Sequence, residues 1–192
     1  MVALLAALHV VSSIPTLGSL AKEVGGKRVE VESLAKGYQD PHFVEPKPNL
    51  MLVLNRADLL LHVGLELEIG WLPPLVLGSR NPKIQVGEIG NLDCSRAIPV
   101  LDIPTTKVDR SMGDIHPQGN PHYWLPPGNA KIIAREIAQR LGDLDPDGRA
   151  DYQKNLAAFN ARVDDKVREW APMIAKMKGT KIVTYHKSWT YV

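Results

Sequence analysis

Two histidines of this chain each follow a proline inside a polar turn, at Asp40-Pro41-His42 and at Asn120-Pro121-His122. Proline holds φ near about −65°, so the local backbone is stiff and a following imidazole loses less freedom when it binds a ligand. Neutral imidazole nitrogens suit borderline divalent metals such as zinc. The paired turns therefore predict that His42 and His122 bind a metal ion.

A third histidine, His186, directly follows the apolar run at residues 181–185, which we predict to be a strand. Loops after strand ends line the ligand crevice of a parallel α/β sheet, so three histidines could converge there. His116 could be a fourth ligand, but we favour a supporting or an exposed position in its loop. His62 and His9 lie in apolar runs and are predicted to be bonded strand residues. The alternative for each turn histidine is a simple bond to the backbone.

The elements that would position these histidines alternate between strand and helix patterns. Strands are predicted at residues 9–14, 28–34 and 57–63, and helices at residues 17–24 and 49–56. Short connections between them indicate a parallel sheet covered by helices, an α/β fold. Further strands are predicted at residues 83–86 and 97–103, and a helix at residues 129–141. A long amphipathic helix then runs from Asp145 to Gly179 and has the length of a strut between two domains.

Composition narrows the function further. The chain has 192 residues and a net charge of only +2. It lacks a basic cluster with interleaved aromatic residues, which argues against nucleic-acid binding. Cys94 is the only cysteine, which excludes a disulfide framework and a cysteine-based zinc site. Residues 1–11 are nearly all apolar, which fits either the end of a signal segment or a buried first strand.

The motifs together resemble the solute-binding proteins of bacterial zinc and manganese ABC importers, the zinc-type cluster A-I family. The resemblance extends along essentially the whole chain. It rests on both Pro-His turns, on the long helix, and on these further segments: Ser13-Ile14-Pro15, Glu23-Val24-Gly25-Gly26, Asn55-Arg56-Ala57-Asp58-Leu59, Gly64-Leu65-Glu66, Trp71-Leu72 and Thr184-Tyr185-His186 with Trp189.

This resemblance implies that His42, His122 and His186 are the metal ligands. It implies an N-terminal α/β metal-binding lobe at residues 1–128, helices including the inter-lobe connector at residues 129–179, and the first strand of a second lobe at residues 180–192. We therefore expect the chain to end early in the second lobe, before the family's fourth ligand, a carboxylate. Many zinc-type members carry a loop rich in histidine and aspartate; the corresponding residues 113–119 hold only Asp114 and His116 of these types.

The function that the resemblance implies is binding and not catalysis. The protein would lie in the periplasm or another extracytoplasmic space, bind zinc, with manganese as the alternative, and pass it as a monomer to an ABC transporter permease. The competing hypothesis is a zinc-dependent hydrolase built on the same three histidines, since catalytic zinc also has three protein ligands and an open position. Glu45 is the only local candidate for its general base. Glu66 and Glu68 are predicted to be a solvated pair.

Overall fold

A parallel four-stranded sheet forms the centre of the computed structural model, which describes residues 7–106, 116–184 and 186–192. Its spatial strand order is β2-β1-β3-β4, and every pair of neighbours is parallel. The predicted α/β fold is therefore confirmed. The strands are β1 (Leu8–Ser12), β2 (Val29–Ser33), β3 (Leu59–His62) and β4 (Asn91–Asp93).

The two central strands read as apolar runs because helices cover the sheet. In the register of the sheet, Val10 of β1 lies beside Val31 on one side and Leu59 on the other. The first three residues of β3 are fully buried. His62 ends that strand half-buried, and its Nε2 lies 3.0 Å from the Asn91 Oδ1 atom of β4. The predicted strand position of His62 is correct.

Five helices complete the described part of the chain. The first, fourth and fifth pack on one another, and the second packs on the third. Proline stands at the first or second position of the first four, where its missing N–H leaves no helical bond unmade. The helices are α1 (Pro15–Gly25), α2 (Pro48–Asn55), α3 (Leu72–Gly78), α4 (Pro127–Leu144) and α5 (Arg149–Lys176).

Three strand predictions were wrong. Residues 83–86 instead overlap the 3-10 turn Pro82–Ile84, because the Asn81 side chain accepts a bond from the Lys83 N–H and starts the turn. Residues 97–103 form no strand, since they contain a proline that cannot donate to a ladder. Residues 181–184 are likewise irregular, and Tyr185 lies outside the described residues. The strand β4, only three residues long, was not predicted.

The long helix predicted before Gly179 is present as α5, whose 28 residues correspond to a length of about 42 Å. It continues through Pro172, and only Tyr152 and Leu156 are buried along it. The predicted division of the chain into a lobe at residues 1–128, connecting helices at residues 129–179 and the start of a second lobe at residues 180–192 stays a prediction. No helix within the described ranges has the length and apolar character needed to cross a membrane. Residues 1–6 and 107–115 lie outside those ranges, and the latter include residues 113–115 of the loop at residues 113–119.

Candidate metal centre

Four histidine rings come together beyond the carboxyl ends of the strands. The ring centre of His42 lies 5.2 Å from that of His116, 5.4 Å from that of His122 and 5.3 Å from that of His186. The rings of His122 and His186 are 4.7 Å apart. One nitrogen from each of His42, His116 and His186 lies within 4.8 Å of the other two, a spacing that suits a shared metal ion. The ring of His122 lies beside this group without belonging to it, so the structure brings the rings of the three predicted residues together and adds His116.

The two Pro-His turns are built alike. In the first, the His42 N–H donates to Asp40 Oδ1 at 3.0 Å, and the His42 Nδ1 atom lies 2.6 Å from the same oxygen. In the second, the His122 N–H donates to Asn120 Oδ1 at 3.0 Å, and His122 Nδ1 lies 2.9 Å from it. Both oxygens accept, so each ring carries its proton on Nδ1, and Nε2 is the nitrogen whose lone pair could bind a metal ion.

The surroundings of the rings shift the pKa of His122 and of Asp40 in directions that favour a cation. Burial, together with the neighbouring imidazoles, lowers the pKa of His122 to about 3, so this ring is neutral at ordinary pH. Burial would raise the pKa of the Asp40 carboxyl, but hydrogen bonds from the backbone and ring of His42 outweigh it and leave that pKa below its usual value. The cluster therefore combines a neutral imidazole at His122 with a carboxylate anion beside the imidazole of His42.

The segment at residues 63–71, which follows β3, is hydrogen-bonded to both turns. The Trp71 Nε1–H donates to the Pro41 carbonyl at 2.8 Å, next to His42. The hydroxyl of Tyr123, next to His122, donates to the Val63 carbonyl at 2.6 Å. Trp71 and Tyr123 are both fully buried, so these two bonds fix the turns against the core.

This supporting segment has an unusual backbone. Gly64, Leu65 and Glu66 follow one another with φ values of 77°, 51° and 65°. Left-handed backbone is costly at residues with a side chain, and the buried Glu68 carboxylate offsets this by accepting the Val63 N–H at 2.7 Å and the Gly64 N–H at 3.2 Å. Burial raises the pKa of that carboxyl. Because Glu68 is only 4% exposed, the prediction of a solvated Glu66–Glu68 pair was wrong.

Hydrogen bonds around Asp102 attach the segment that carries His186 to residues 101–102. This carboxylate accepts from Lys187 Nζ at 2.8 Å and from the Thr190 hydroxyl at 2.7 Å. The hydrogen bond from Lys187, followed by that from Thr190, lowers the pKa of the Asp102 carboxyl. The Tyr191 hydroxyl accepts from the Leu101 N–H at 3.0 Å.

A solvent-open cleft of about 580 Å³ leads to the cluster, and His42 and His116 form part of its wall together with Glu45 and Glu66. Two carboxyl groups in the cleft favour the approach of a cation. His116 was the less favoured candidate for a fourth ligand, because it lies in a long polar loop without periodicity. Its Nε2 atom stands 3.2 Å from that of His42, a proximity that only the tertiary fold creates.

Comparison with known proteins identifies a family and several relatives that match most of this chain. Residues 10–192 match the family described as ZnuA, zinc-uptake complex component A, periplasmic. The chain is 30% identical over 155 residues to the manganese ABC transporter substrate-binding lipoprotein scaA of Streptococcus gordonii, covering 79% of this chain and 46% of that relative. It is 30% identical over 159 residues to the lipoprotein PsaA of Streptococcus pneumoniae, named for manganese, covering 81% of this chain and 48% of PsaA.

Solved structures agree with these relatives. The fold superposes on a zinc-bound deletion mutant of ZnuA with a TM-score of 0.79 and 33% identity, covering 96% of this chain and 65% of that one. The chain therefore spans about half the length of the curated relatives and about two-thirds of the solved chain. The family is described as periplasmic and the relatives are named as lipoproteins, which confirms the predicted extracytoplasmic location.

Proposed function

Because the chain belongs to the ZnuA family of metal substrate-binding components of ABC importers, we propose that it binds a divalent metal ion and passes it to a membrane permease. The observation that carries this proposal is the convergence of four imidazole rings from separate segments, with ring centres 4.7–6.4 Å apart. We propose His42, His122 and His186 as ligands, with the protein acting outside the cytoplasm as a monomer.

We further propose zinc as the preferred ion and His116 as the fourth ligand. An all-nitrogen set of four imidazoles provides the tetrahedral coordination that zinc favours, whereas manganese prefers more oxygen ligands. The relatives named for manganese keep that ion as the alternative. If His116 completes the set, the site needs no carboxylate from elsewhere to reach four ligands.

The hydrolase alternative gains no support from the relatives, which are named as substrate-binding proteins. Glu45, its candidate base, lines the cleft as an exposed residue. A fourth protein ligand would also fill the position that a catalytic zinc leaves open for water. We therefore propose that the chain is a binding protein and not an enzyme.

Isothermal titration calorimetry of the metal-stripped chain tests this proposal. Zinc should bind with one-to-one stoichiometry, and His42→Ala or His122→Ala should weaken binding at least about 100-fold, since each removes a direct ligand. His9→Ala is the matched control, because His9 lies at the start of β1 with its side chain 53% exposed. Absence of zinc uptake by the wild-type chain, or equal loss in the control, would overturn the assignment.

Cobalt substitution tests the ligand set separately. Cobalt(II) in a tetrahedral nitrogen site gives intense visible absorption, which weakens on expansion to six ligands. The wild-type chain should show the tetrahedral band, and His116→Ala should reduce its intensity as water replaces the lost nitrogen. An unchanged spectrum in His116→Ala would show that His116 is not a ligand.

A further inference from the structure

The side-chain amide of Asn120 uses both of its ends. Its oxygen accepts the His122 N–H at 3.0 Å and contacts His122 Nδ1 at 2.9 Å. Its nitrogen donates to the Lys187 carbonyl at 2.7 Å, and Lys187 directly follows His186. Asn120 is buried, with 6% of its surface exposed. One buried amide thus lies between the turn that carries one candidate ligand and the segment that carries another.

Other bonds of Asn120 strengthen this connection. The same Nδ2 atom lies 3.1 Å from the Thr190 hydroxyl oxygen and 3.2 Å from Asp102 Oδ2. The Asn120 carbonyl accepts from the Tyr191 hydroxyl at 2.7 Å. Thr190 and Lys187 in turn both donate to Asp102. The residues after His186 are therefore attached to Asn120 through backbone and side-chain bonds together.

We propose that Asn120 is a positioning residue that sets the distance between His122 and His186 and thereby the metal affinity; this rests on the proposed function. The chemistry requires an amide, because its oxygen must accept from His122 while its nitrogen donates to a carbonyl. Aspartate would keep the first role but not the second. It would also place a carboxylate oxygen against the Lys187 carbonyl and the Asp102 carboxylate, where like charges repel.

The first turn provides the contrast within the same chain. Asp40 performs the orienting role for His42 as a carboxylate, and its side chain is 58% exposed. Among the described residues, the hydrogen bonds of the Asp40 side chain join only His42. An amide nitrogen is not needed there, so the two turns differ at the one position where their tasks differ.

Reciprocal substitutions in the full chain test this assignment. Asn120→Asp should weaken zinc binding by about 10–100-fold, the usual effect of losing a group that orients a metal ligand. The paired variant Asp40→Asn keeps an accepting oxygen beside His42 and should weaken zinc binding less than Asn120→Asp does, because only an exposed charge is lost and no second bond is broken. Zinc affinity is measured by competition with a fluorescent chelator, and circular dichroism checks that each variant folds.

A second readout is independent of metal. In the metal-free chain, heteronuclear NOE values of the backbone amides of residues 187–191 should be as high as those of the sheet in wild type and Asp40→Asn, and should fall in Asn120→Asp. If wild type takes up no zinc, the proposed function fails, while the NOE comparison still decides the attachment. If Asn120→Asp folds and matches wild type in both zinc affinity and NOE values, the assignment of Asn120 is wrong.

A variant on the other side of the connection covers misfolding of Asn120→Asp. Thr190→Val removes the hydroxyl that meets Asn120 and Asp102, and leaves the His122 turn untouched. It should lower the NOE values of residues 187–191 and weaken zinc binding at least about threefold, corresponding to the loss of one hydrogen bond. Unchanged affinity and NOE values in a folded Thr190→Val variant would overturn the proposal.

Discussion

Replacing Asp40 by alanine should reveal how much the orientation of one imidazole contributes to metal binding. The carboxylate makes two contacts with His42, a backbone bond of 3.0 Å and a ring contact of 2.6 Å. Both bonds end on an ionised carboxylate, and a charge-assisted bond contributes about 1.5–3 kcal/mol. The 58% exposure of the Asp40 side chain places each of them at or below the lower end of that range.

Together these contacts give a loss of about 1.5–3 kcal/mol, or roughly 10–100-fold in the zinc dissociation constant. Competition with a fluorescent chelator at pH 7.5 measures it, and His42→Ala sets the limit for complete loss of the ligand. Part of the effect is electrostatic, so raising the salt concentration should narrow the gap between wild type and Asp40→Ala. If Asp40→Ala binds zinc within about twofold of wild type while His42→Ala does not bind, the orienting role of Asp40 is refuted.

Three further outcomes are expected. Tyr123→Phe leaves the buried Val63 carbonyl without its donor and should lower the free energy of unfolding in urea by about 1–3 kcal/mol, whereas Tyr38→Phe, at an 89% exposed side chain, should change nothing measurable. The hydrogen bond from Arg28 holds the pKa of Asp145 below its usual 3.8, so this carboxyl stabilises the fold above pH 4 and loses that effect as the pH falls. The Asp145→Asn variant should therefore be less stable than wild type at pH 7 and should lose less stability on acidification. Unfolding followed by circular dichroism at several pH values measures both differences. Zinc at about 100 times its dissociation constant should raise the free energy of unfolding by about 2.7 kcal/mol, visible as a higher melting temperature that a chelator reverses.

The sequence predicted the parts of the fold that local rules determine. Apolar runs with turn formers at their ends located β1 and β3, and an alternating pattern located β2. Proline and glycine located the ends of α1, α2, α4 and α5 to within a few residues, whereas α3 was not predicted. The prediction failed where a short polar segment pairs at the sheet edge, as in β4, since three residues carry no period. It also failed at residues 181–184, where an apolar run leads to no partner strand among the described residues.

The candidate site follows the same division. His42 and His122 could be identified because each turn is complete in itself, with its Asx oxygen two residues before the histidine. His116 could not, because its approach to His42 joins residues 74 positions apart. The tasks of Asn120 were equally invisible, since Lys187 and Thr190 lie 67 and 70 positions further along the chain.

This division has a consequence for how the site forms. A turn closed over two residues costs little loop entropy, so the His42 and His122 rings can be oriented before any metal arrives. Placing His186 requires contacts across more than 60 residues, which only the folded chain supplies. A change confined to the first turn, such as Asp40→Ala, should therefore alter metal affinity alone, whereas a change at Asn120 should also release residues 187–191 in the metal-free chain. If zinc restored high NOE values to those residues in Asn120→Asp, part of its binding energy would be spent on placing His186, and the weakened affinity would measure that work.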